Sequence, residues 1–162
     1  MARLKPRPFK AESSMAERTF TLDEAQALVP VLGSLLKTAI DGKNAAERIE
    51  QEFKAVSSRV FLNGGTLLDV AQLSARKRER ERVVQKVKDA LAEIEASGAL
   101  VKDLEMGLLD FPCQVDDRVI LLCWKLGEKT IAHWHGTDEG YKYRKPIDEK
   151  IANAGKKPGS GE

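Results

Sequence analysis

Apolar positions follow two different periods along this chain. From Leu28 to Val60 they recur every three or four residues, whereas the last third of the chain holds short runs of β-branched and large apolar side chains. The first period is that of a helix face packed on a neighbour, and the second is typical of β-strands. The helical positions are Leu28, Leu32, Leu35, Ala39, Gly42, Ala46, Ile49, Phe53, Val56 and Val60. Because their spacings alternate between four and three, they form the heptad stripe of paired helices.

The segment Thr21-Leu22-Asp23-Glu24 predicts where the first helix begins. It has the form of a capping box, in which the threonine hydroxyl accepts from the Glu24 amide and the glutamate side chain returns to the threonine amide. Phe20 is placed to act as the hydrophobic staple. We expect the helix to reach Leu62, with a kink or a separate short first helix at Pro30, because proline lacks a backbone donor and clashes with the preceding turn.

A second helix is predicted after a reversal at Asn63-Gly64-Gly65, with Thr66 as its cap and Gly98 at its end. Two helices joined by a short turn form an antiparallel hairpin. The stripe of the second helix contains Leu73, Lys77, Arg80, Val84, Val87, Leu91 and Ile94. Its basic members lie in the charged run 76–82, which we interpret as a solvated, salt-bridged face. A polyanion-binding stretch is the alternative, weakened by two glutamates in the run and by the absence of interleaved aromatic residues.

Three short strands are predicted after Gly98, over residues 109–115, 119–124 and 130–135. Asp116-Asp117 and Gly127-Glu128 supply the turns of an antiparallel meander. An even-numbered second loop pairs Trp124 with Ile131, Leu122 with His133, and Ile120 with His135. The predicted fold is therefore α+β: a long antiparallel helical hairpin carrying a small three-stranded antiparallel β-meander at its C-terminal side.

The pattern divides the chain into four segments. We predict a disordered N-terminal tail over residues 1–18, the helical hairpin over 19–98, a small β-module packed on the hairpin over 99–152, and a disordered tail over 153–162. The first segment has prolines and charges but too little apolar surface to offset the entropy of ordering it. Met15 is an alternative to Met1 as the start of translation.

The composition argues against several classes of binding partner. The chain has 27 basic and 25 acidic residues, so it lacks the basic excess expected of a nucleic-acid-binding domain. Two cysteines and the absence of a hydrophobic leader predict free thiols and a cytoplasmic location. No apolar run approaches the ~20 residues needed to span a bilayer, so a membrane is not an expected partner.

The residues best suited to chemistry lie between Gly107 and Ile147, a stretch that contains both tryptophans, both tyrosines, both cysteines and both histidines. The candidate binding site predicted there consists of Asp110, Trp124, Glu128, Trp134, His135 and Arg144. An arginine fork beside a flat tryptophan wall suits a small anionic ligand. The alternative is a purely structural polar network in which Arg144 is paired with Asp110.

Two further arrangements are weighed against that site. His133 and His135 leave the same face of a strand and can share a metal with Asp138 or Glu139, but the pair lacks a third fixed ligand. We therefore predict no metal and no cofactor. Cys123 as a nucleophile with His135 as its base is also disfavoured, because the predicted register places the two side chains on opposite faces of the sheet.

The motifs of this region also carry a family resemblance. They are Gly107-Leu-Leu-Asp-Phe111, Leu122-Cys-Trp-Lys-Leu-Gly-Glu128, Trp134-His135, Gly140 and Arg144, after a helix that opens Phe20-Thr-Leu-Asp-Glu-Ala25. Over most of residues 19–147 the chain resembles the bacterial family known only as domain of unknown function 2203. The resemblance implies a shared fold and a shared site, and it assigns no activity. The chain is less similar at His133, where an aromatic residue is more usual.

These features favour a non-catalytic module that binds a ligand or partner and uses its helical stripe for oligomerisation. One heptad stripe per helix buries little surface in an isolated hairpin, and Ala39, Gly42 and Ala46 allow close approach of another helix, so we expect a homo-oligomer. The alternative is a small enzyme, with or without a metal, that uses His135, Glu128 and Arg144. The sequence leaves the choice between them open.

Overall fold

A computed structural model describes residues 18–62 and 69–156. Two long helices pack against each other, and an antiparallel sheet of five strands in sequential order accompanies them. The α+β prediction is confirmed, but the sheet has five strands where three were predicted. The elements are α1 (Leu22–Leu62), α2 (Val70–Ala96), β1 (Leu100–Asp103), β2 (Leu108–Val115), β3 (Arg118–Lys125), β4 (His133–Gly136), a 3-10 helix (Tyr141–Tyr143), β5 (Lys145–Pro146) and α3 (Glu149–Ala152).

Helix α1 begins where its cap predicts and continues past its proline. The Thr21 hydroxyl accepts a hydrogen bond from the Glu24 amide at 3.1 Å, which confirms one half of the capping box. The Glu24 side chain instead accepts from Arg18 at 3.4 Å. Pro30 lies inside α1, which runs unbroken from Leu22 to Leu62, so the separate short first helix was a wrong prediction.

Helix α2 is bounded by two local signals. The Asp69 side chain caps it by accepting from the Gln72 amide at 3.0 Å. The predicted reversal at 63–65 and the predicted cap Thr66 lie outside the described residues. At the other end, Ser97 is the C-cap and Gly98 follows with φ 97°, a left-handed conformation that glycine adopts without steric cost.

Ion pairs connect the two helices far from the sheet. Arg76 lies 2.6 Å from Glu52, and Arg80 lies 3.4 Å from Glu50. These contacts agree with the interpretation of the charged run 76–82 as a salt-bridged face. A Cβ on Gly42 would lie only 2.6 Å from a Val87 methyl carbon, so glycine permits the close packing of α1 on α2 at this level.

One face of the sheet joins the helices in the main core. Strands β2 and β3 contribute alternate residues to that core, as expected for a sheet packed on one side. The buried core residues of the two strands are Leu109, Phe111, Cys113, Val115, Ile120, Leu122 and Trp124. Leu32 and Leu36 enter the same core from α1, and Phe20 meets Phe111 edge to face with ring centroids 5.4 Å apart. Through this packing, β2 and β3 lie against the part of the hairpin that contains Leu32 and Leu36.

The pairing of β3 with β4 differs by one residue from the prediction. The observed pairs are Ile120 with Gly136, Leu121 with His135, Leu122 with Trp134, and Cys123 with His133. The N–H of Ile131 donates to the Gln26 side chain of α1 at 2.7 Å. Ile131 therefore makes its backbone bond to α1 and not to a strand, and an irregular connection between Lys125 and His133 replaces the predicted tight turn. A shift of one residue exchanges the two faces of a strand, so Cys123 and His135 share a face.

The chain after β5 returns to the first helix. Ile151 of α3 is buried in the main core, and Lys156 lies 3.6 Å from Asp23 at the start of α1. The predicted disordered tails lie outside the described residues, apart from Arg18 and residues 153–156, as do both candidate start positions. Within the described ranges, neither long helix has a stretch apolar enough to cross a bilayer.

Candidate functional site

The sheet face that points away from the main core carries a buried polar cluster, formed by Asp110, Cys123 and His135. Asp110 stands directly opposite Cys123 across the β2–β3 ladder, and His135 stands opposite Leu121 on β4. Strand alternation therefore directs all three side chains to one face. Their exposed fractions are 0%, 1% and 0%. Buried polar groups of this kind require partners, since each one loses its hydrogen bonds to water.

The histidine of this cluster is held at both ring nitrogens. His135 Nδ1 lies 2.8 Å from the carbonyl oxygen of Gly136, and Nε2 lies 3.0 Å from Asp110 Oδ1. A carbonyl oxygen only accepts, so Nδ1 carries a hydrogen and donates. Two acceptor atoms do not approach this closely, so one proton lies between Nε2 and the carboxyl oxygen. When that proton belongs to Asp110, the imidazole is neutral and Nε2 accepts it as a hydrogen bond.

The Asp110 carboxyl has one satisfied oxygen and one unsatisfied oxygen. Burial raises the pKa of this carboxyl, and the neighbouring His135 offsets only part of that rise. A raised pKa is consistent with a proton shared between the two residues. Asp110 Oδ2 is buried and has no hydrogen-bond partner within the part of the chain that the structure describes. A buried acceptor without a close partner costs free energy. The Cys123 thiol is the other group of the cluster that acts on this carboxyl, where it lowers the pKa of Asp110.

Cys123 is adjacent to a histidine but is not activated by it. Burial raises the pKa of its thiol to about 12, with the charge of Asp110 adding to that effect. The register prediction that separated Cys123 from His135 was wrong, since the two lie on one face. A nucleophilic cysteine requires a thiolate, however, and a buried thiol of this pKa stays protonated at neutral pH.

Beside the buried polar cluster, Arg144 is paired with Glu128 and not with Asp110. Their side chains meet at 3.0 Å, with exposed fractions of 14% and 27%. Glu128 also accepts from the Lys125 amide at 2.7 Å. Partial burial acts to raise the pKa of Glu128, but the hydrogen bonds from Arg144 and Lys125 outweigh it and the pKa is lowered. The glutamate therefore remains charged and neutralises Arg144.

A tyrosine and a second histidine complete this side of the sheet. The guanidinium of Arg144 lies 4.4 Å from the centre of the Tyr141 ring, within the range of a cation–π contact. His133, directly opposite Cys123, has a buried Nδ1 without a hydrogen-bond partner among the described residues. The predicted metal partner Glu139 is engaged elsewhere, since it accepts from Lys145 at 3.1 Å and from the Gly136 amide at 3.3 Å.

The two tryptophans of the predicted site lie on the opposite face of the sheet. Trp124 is buried in the main core, where a Cβ on Gly33 would lie 3.0 Å from its ring, and its indole N–H donates to the Glu128 carbonyl at 2.9 Å. Trp134 packs against the same core, with the Lys145 ammonium 4.7 Å from its ring centre. Neither ring forms a wall beside His135.

The comparison with protein families is in agreement with the sequence motifs. The family described as Uncharacterized conserved protein (DUF2203) matches residues 18–147. The chain belongs to this family. The matched segment includes the whole buried polar cluster together with Glu128 and Arg144. Comparison with curated proteins and with solved structures gave no match.

The structure of this DUF2203 protein thus separates the residues of the predicted site into two pairs. Asp110 and His135 form one pair, and Glu128 and Arg144 form another. Cys123, His133 and Tyr141 were left out of the predicted site. Two features of the sequence pointed toward this grouping: the spacing of the two histidines and the cross-strand pairing of Asp110 with Cys123. They identify the cluster only when the β3–β4 register is known.

The chemical capability of the buried polar cluster follows from its three kinds of ligand atom. A carboxylate oxygen, a sulfur and an imidazole nitrogen lie within 4.8 Å of one another. Such a set is suited to cation coordination. Beside this set, the charge of Arg144 is paired with Glu128.

Proposed function

We propose that this protein is a non-catalytic interaction module that forms a homodimer through the distal hairpin, defined as residues 44–62 of α1 and 70–86 of α2. The observation that carries the proposal is the apolar surface at its end. Phe61, Leu62 and Val70 are 86%, 75% and 70% exposed. They adjoin an open groove of about 590 Å³ whose lining includes Phe53, Val56, Val60 and Leu73. Contiguous exposed apolar surface of this kind is a feature of interaction sites.

The distal hairpin is only two helices thick. Among its described residues only Ile49 is buried, whereas Phe53, Val56 and Val60 of the heptad stripe are half-buried. Two helices cannot cover both sides of such a stripe, so a further helix layer adds the missing burial. With a rise of 1.5 Å per residue, the distal part of α1 offers roughly 30 Å of surface to a partner.

A second copy of the chain is a suitable occupant for this surface. An interface about a two-fold axis uses the same patch on both copies, so the apolar groove of one copy meets the exposed apolar side chains of the other. The charged residues beside the stripe pair within one copy, as Arg76 does with Glu52 and Arg80 with Glu50. Their neutralisation reduces the electrostatic repulsion that two like surfaces would otherwise have.

The enzymatic alternative receives less support from the geometry. A substrate would have to reach His135, which has no exposed surface, and Glu128 would have to leave Arg144 before either could act on a ligand. Binding of a small anion by Arg144 meets the same obstacle. We therefore favour partner binding over catalysis.

The test is sedimentation of the full chain and two matched variants at micromolar concentration and above. The wild type should be a dimer. Phe61→Glu should be a monomer with an unchanged helical circular dichroism spectrum, because the side chain is exposed in one copy but would be buried between two. Val31→Glu is the control, since Val31 is also exposed on α1, at 61%, but lies outside the distal hairpin. It should remain a dimer.

Two results would contradict this proposal. A wild-type chain that stays monomeric throughout the concentration range excludes the dimer. A dimer that survives Phe61→Glu and dissociates in Val31→Glu locates the interface on another part of the molecule.

A further inference from the structure

The buried polar cluster brings together three different types of ligand atom in a region shielded from solvent. Asp110, Cys123 and His135 each offer one atom, and these atoms lie within 4.8 Å of one another. In a tetrahedral zinc site, bonds of about 2.0 to 2.3 Å place ligand atoms roughly 3.3 to 3.6 Å apart. Side-chain shifts of about 1 Å therefore suffice to convert the cluster into three ligands of such a site. We propose that it is a binding site for a divalent transition-metal ion of the zinc class.

The orientation of His135 is that of a metal ligand. Its Nδ1–H donates to the Gly136 carbonyl oxygen at 2.8 Å, which leaves Nε2 as the nitrogen with a lone pair. Histidine ligands are commonly fixed in this way by a backbone carbonyl or a carboxylate at the other ring nitrogen. Nε2 points toward Asp110, so the lone pair is directed into the cluster.

An independent observation comes from the unsatisfied oxygen. Asp110 has no exposed surface, and its Oδ2 has no hydrogen-bond partner in residues 18–62 and 69–156. A metal ion would satisfy the carboxylate, since buried charges in proteins are either paired or bound to a metal. A purely structural Asp110–His135 pair accounts for Oδ1 and leaves only the Cys123 thiol, a weak donor, to act on the rest of the carboxyl.

The charge of the ligand set also matches a divalent cation. One carboxylate and one thiolate balance two positive charges, so the loaded cluster is neutral and avoids the large cost of a net charge in the interior. The neighbouring Arg144 and Glu128 neutralise each other and leave that balance unchanged.

His133 is a candidate for a fourth ligand, although its ring lies outside the group of ligand atoms that are within 4.8 Å of one another. It stands opposite Cys123 on the ladder, its side chain shares that face, and its buried Nδ1 has no hydrogen-bond partner among the described residues. A fourth protein ligand would make a closed structural site, which is how buried zinc sites are usually built. The sequence placed the two histidines together, and the structure adds Asp110 and Cys123 in place of Asp138 or Glu139.

Metal binding must release protons from this cluster. The Cys123 thiol gives up its proton when sulfur bonds to the metal, and the proton shared by Asp110 and His135 leaves when Nε2 and the carboxylate become ligands. The balance is one metal ion bound and about two protons released per chain at neutral pH.

The experiment uses the full chain freed of metal with a chelator. It is titrated with Co²⁺, which reports a cobalt–thiolate bond by an ultraviolet charge-transfer band, and with Zn²⁺, for which proton release is measured in weak buffer. The same chain is also produced in zinc-supplemented medium and analysed for bound metal, so that a site loaded only during folding is detected. Cys123→Ala and Cys113→Ala form the matched pair of variants, since both thiols are buried but Cys113 belongs to the main core.

We expect about one metal ion per chain and a cobalt–thiolate band that disappears in Cys123→Ala and remains in Cys113→Ala. His133→Gln should weaken binding about 10-fold or more if this residue is the fourth ligand. A wild-type chain that holds no metal by either route overturns the proposal, as does a band that survives Cys123→Ala. If Cys123→Ala fails to fold, the proton count on the wild type still decides, because zinc binding without proton release excludes this ligand set.

Discussion

The buried polar cluster and the distal hairpin place opposite kinds of side chain in opposite surroundings. In the cluster, polar side chains are enclosed by the sheet and have almost no exposed surface, whereas in the distal hairpin apolar side chains such as Phe61 remain in contact with solvent. Each region thus lacks something: the first lacks a partner for a buried oxygen, and the second lacks a layer over an apolar stripe. Our two proposals assign a small ion to the first region and another copy of the chain to the second.

The ion pairs near the two regions also differ in their exposure to solvent. Arg144 and Glu128 are 14% and 27% exposed, whereas Arg76 and Glu52 are 35% and 50% exposed. The distances are comparable, at 3.0 and 2.6 Å. Exposure to water, more than distance, decides how much such a pair stabilises the fold, since solvent and salt screen an exposed pair.

The largest effect on stability is expected from the removal of His135. His135→Ala should lower the free energy of unfolding of the metal-free chain by about 3 kcal/mol, because Asp110 Oδ1 would lose its hydrogen-bond partner and the ring would leave a cavity. Urea unfolding measures the change. His133→Ala is the control on the same face, and it should cost clearly less, since His133 makes no hydrogen bond through Nδ1 to a described residue. If both variants lose the same free energy of unfolding, the Asp110–His135 hydrogen bond does not stabilise the fold.

A smaller effect is expected at the half-buried pair. Arg144→Ala should lower the free energy of unfolding by about 1 to 3 kcal/mol, because Glu128 would keep its charge but lose the guanidinium that bonds it. Arg144→Lys should restore only part of the loss, since a lysine cannot reproduce both the pairing and the stacking on Tyr141. If both variants melt at the wild-type temperature, the pair is solvent-screened after all and the contrast with the distal hairpin disappears.

The smallest effect is expected at the exposed pair. Arg76→Gln should lower the melting temperature by less than Arg144→Ala does, and the difference from wild type should vanish as salt is added. Thermal melts at low and high ionic strength make the measurement. A large loss that persists at high salt would mean that Arg76 is covered in the assembled protein, which would sharpen the location of the proposed dimer contact.

Local signals were sufficient for most of the fold. The cap at Thr21, the glycine at Gly98 and the heptad stripe fixed the helical hairpin, because each acts over one or two turns of helix. The Asp116-Asp117 turn was also predicted, and in the structure it joins β2 to β3 with Cys113 opposite Ile120. Strands β1 and β5 were missed because four and two residues are too short to show a period of their own.

The candidate site was only partly predictable for a physical reason that lies outside its own residues. The sequence by itself determined two long helices, a sheet after them, and the region that contains Asp110, His135, Glu128 and Arg144. Tertiary structure alone decided the grouping, because the grouping depends on the register of β4 on β3, which differs by one residue from the predicted one. Before β4, the Ile131 N–H donates to the Gln26 side chain of α1, a contact between positions far apart in the chain that no local period records. In the observed register, Cys123 and His135 share one face, and the polar residues form a cluster.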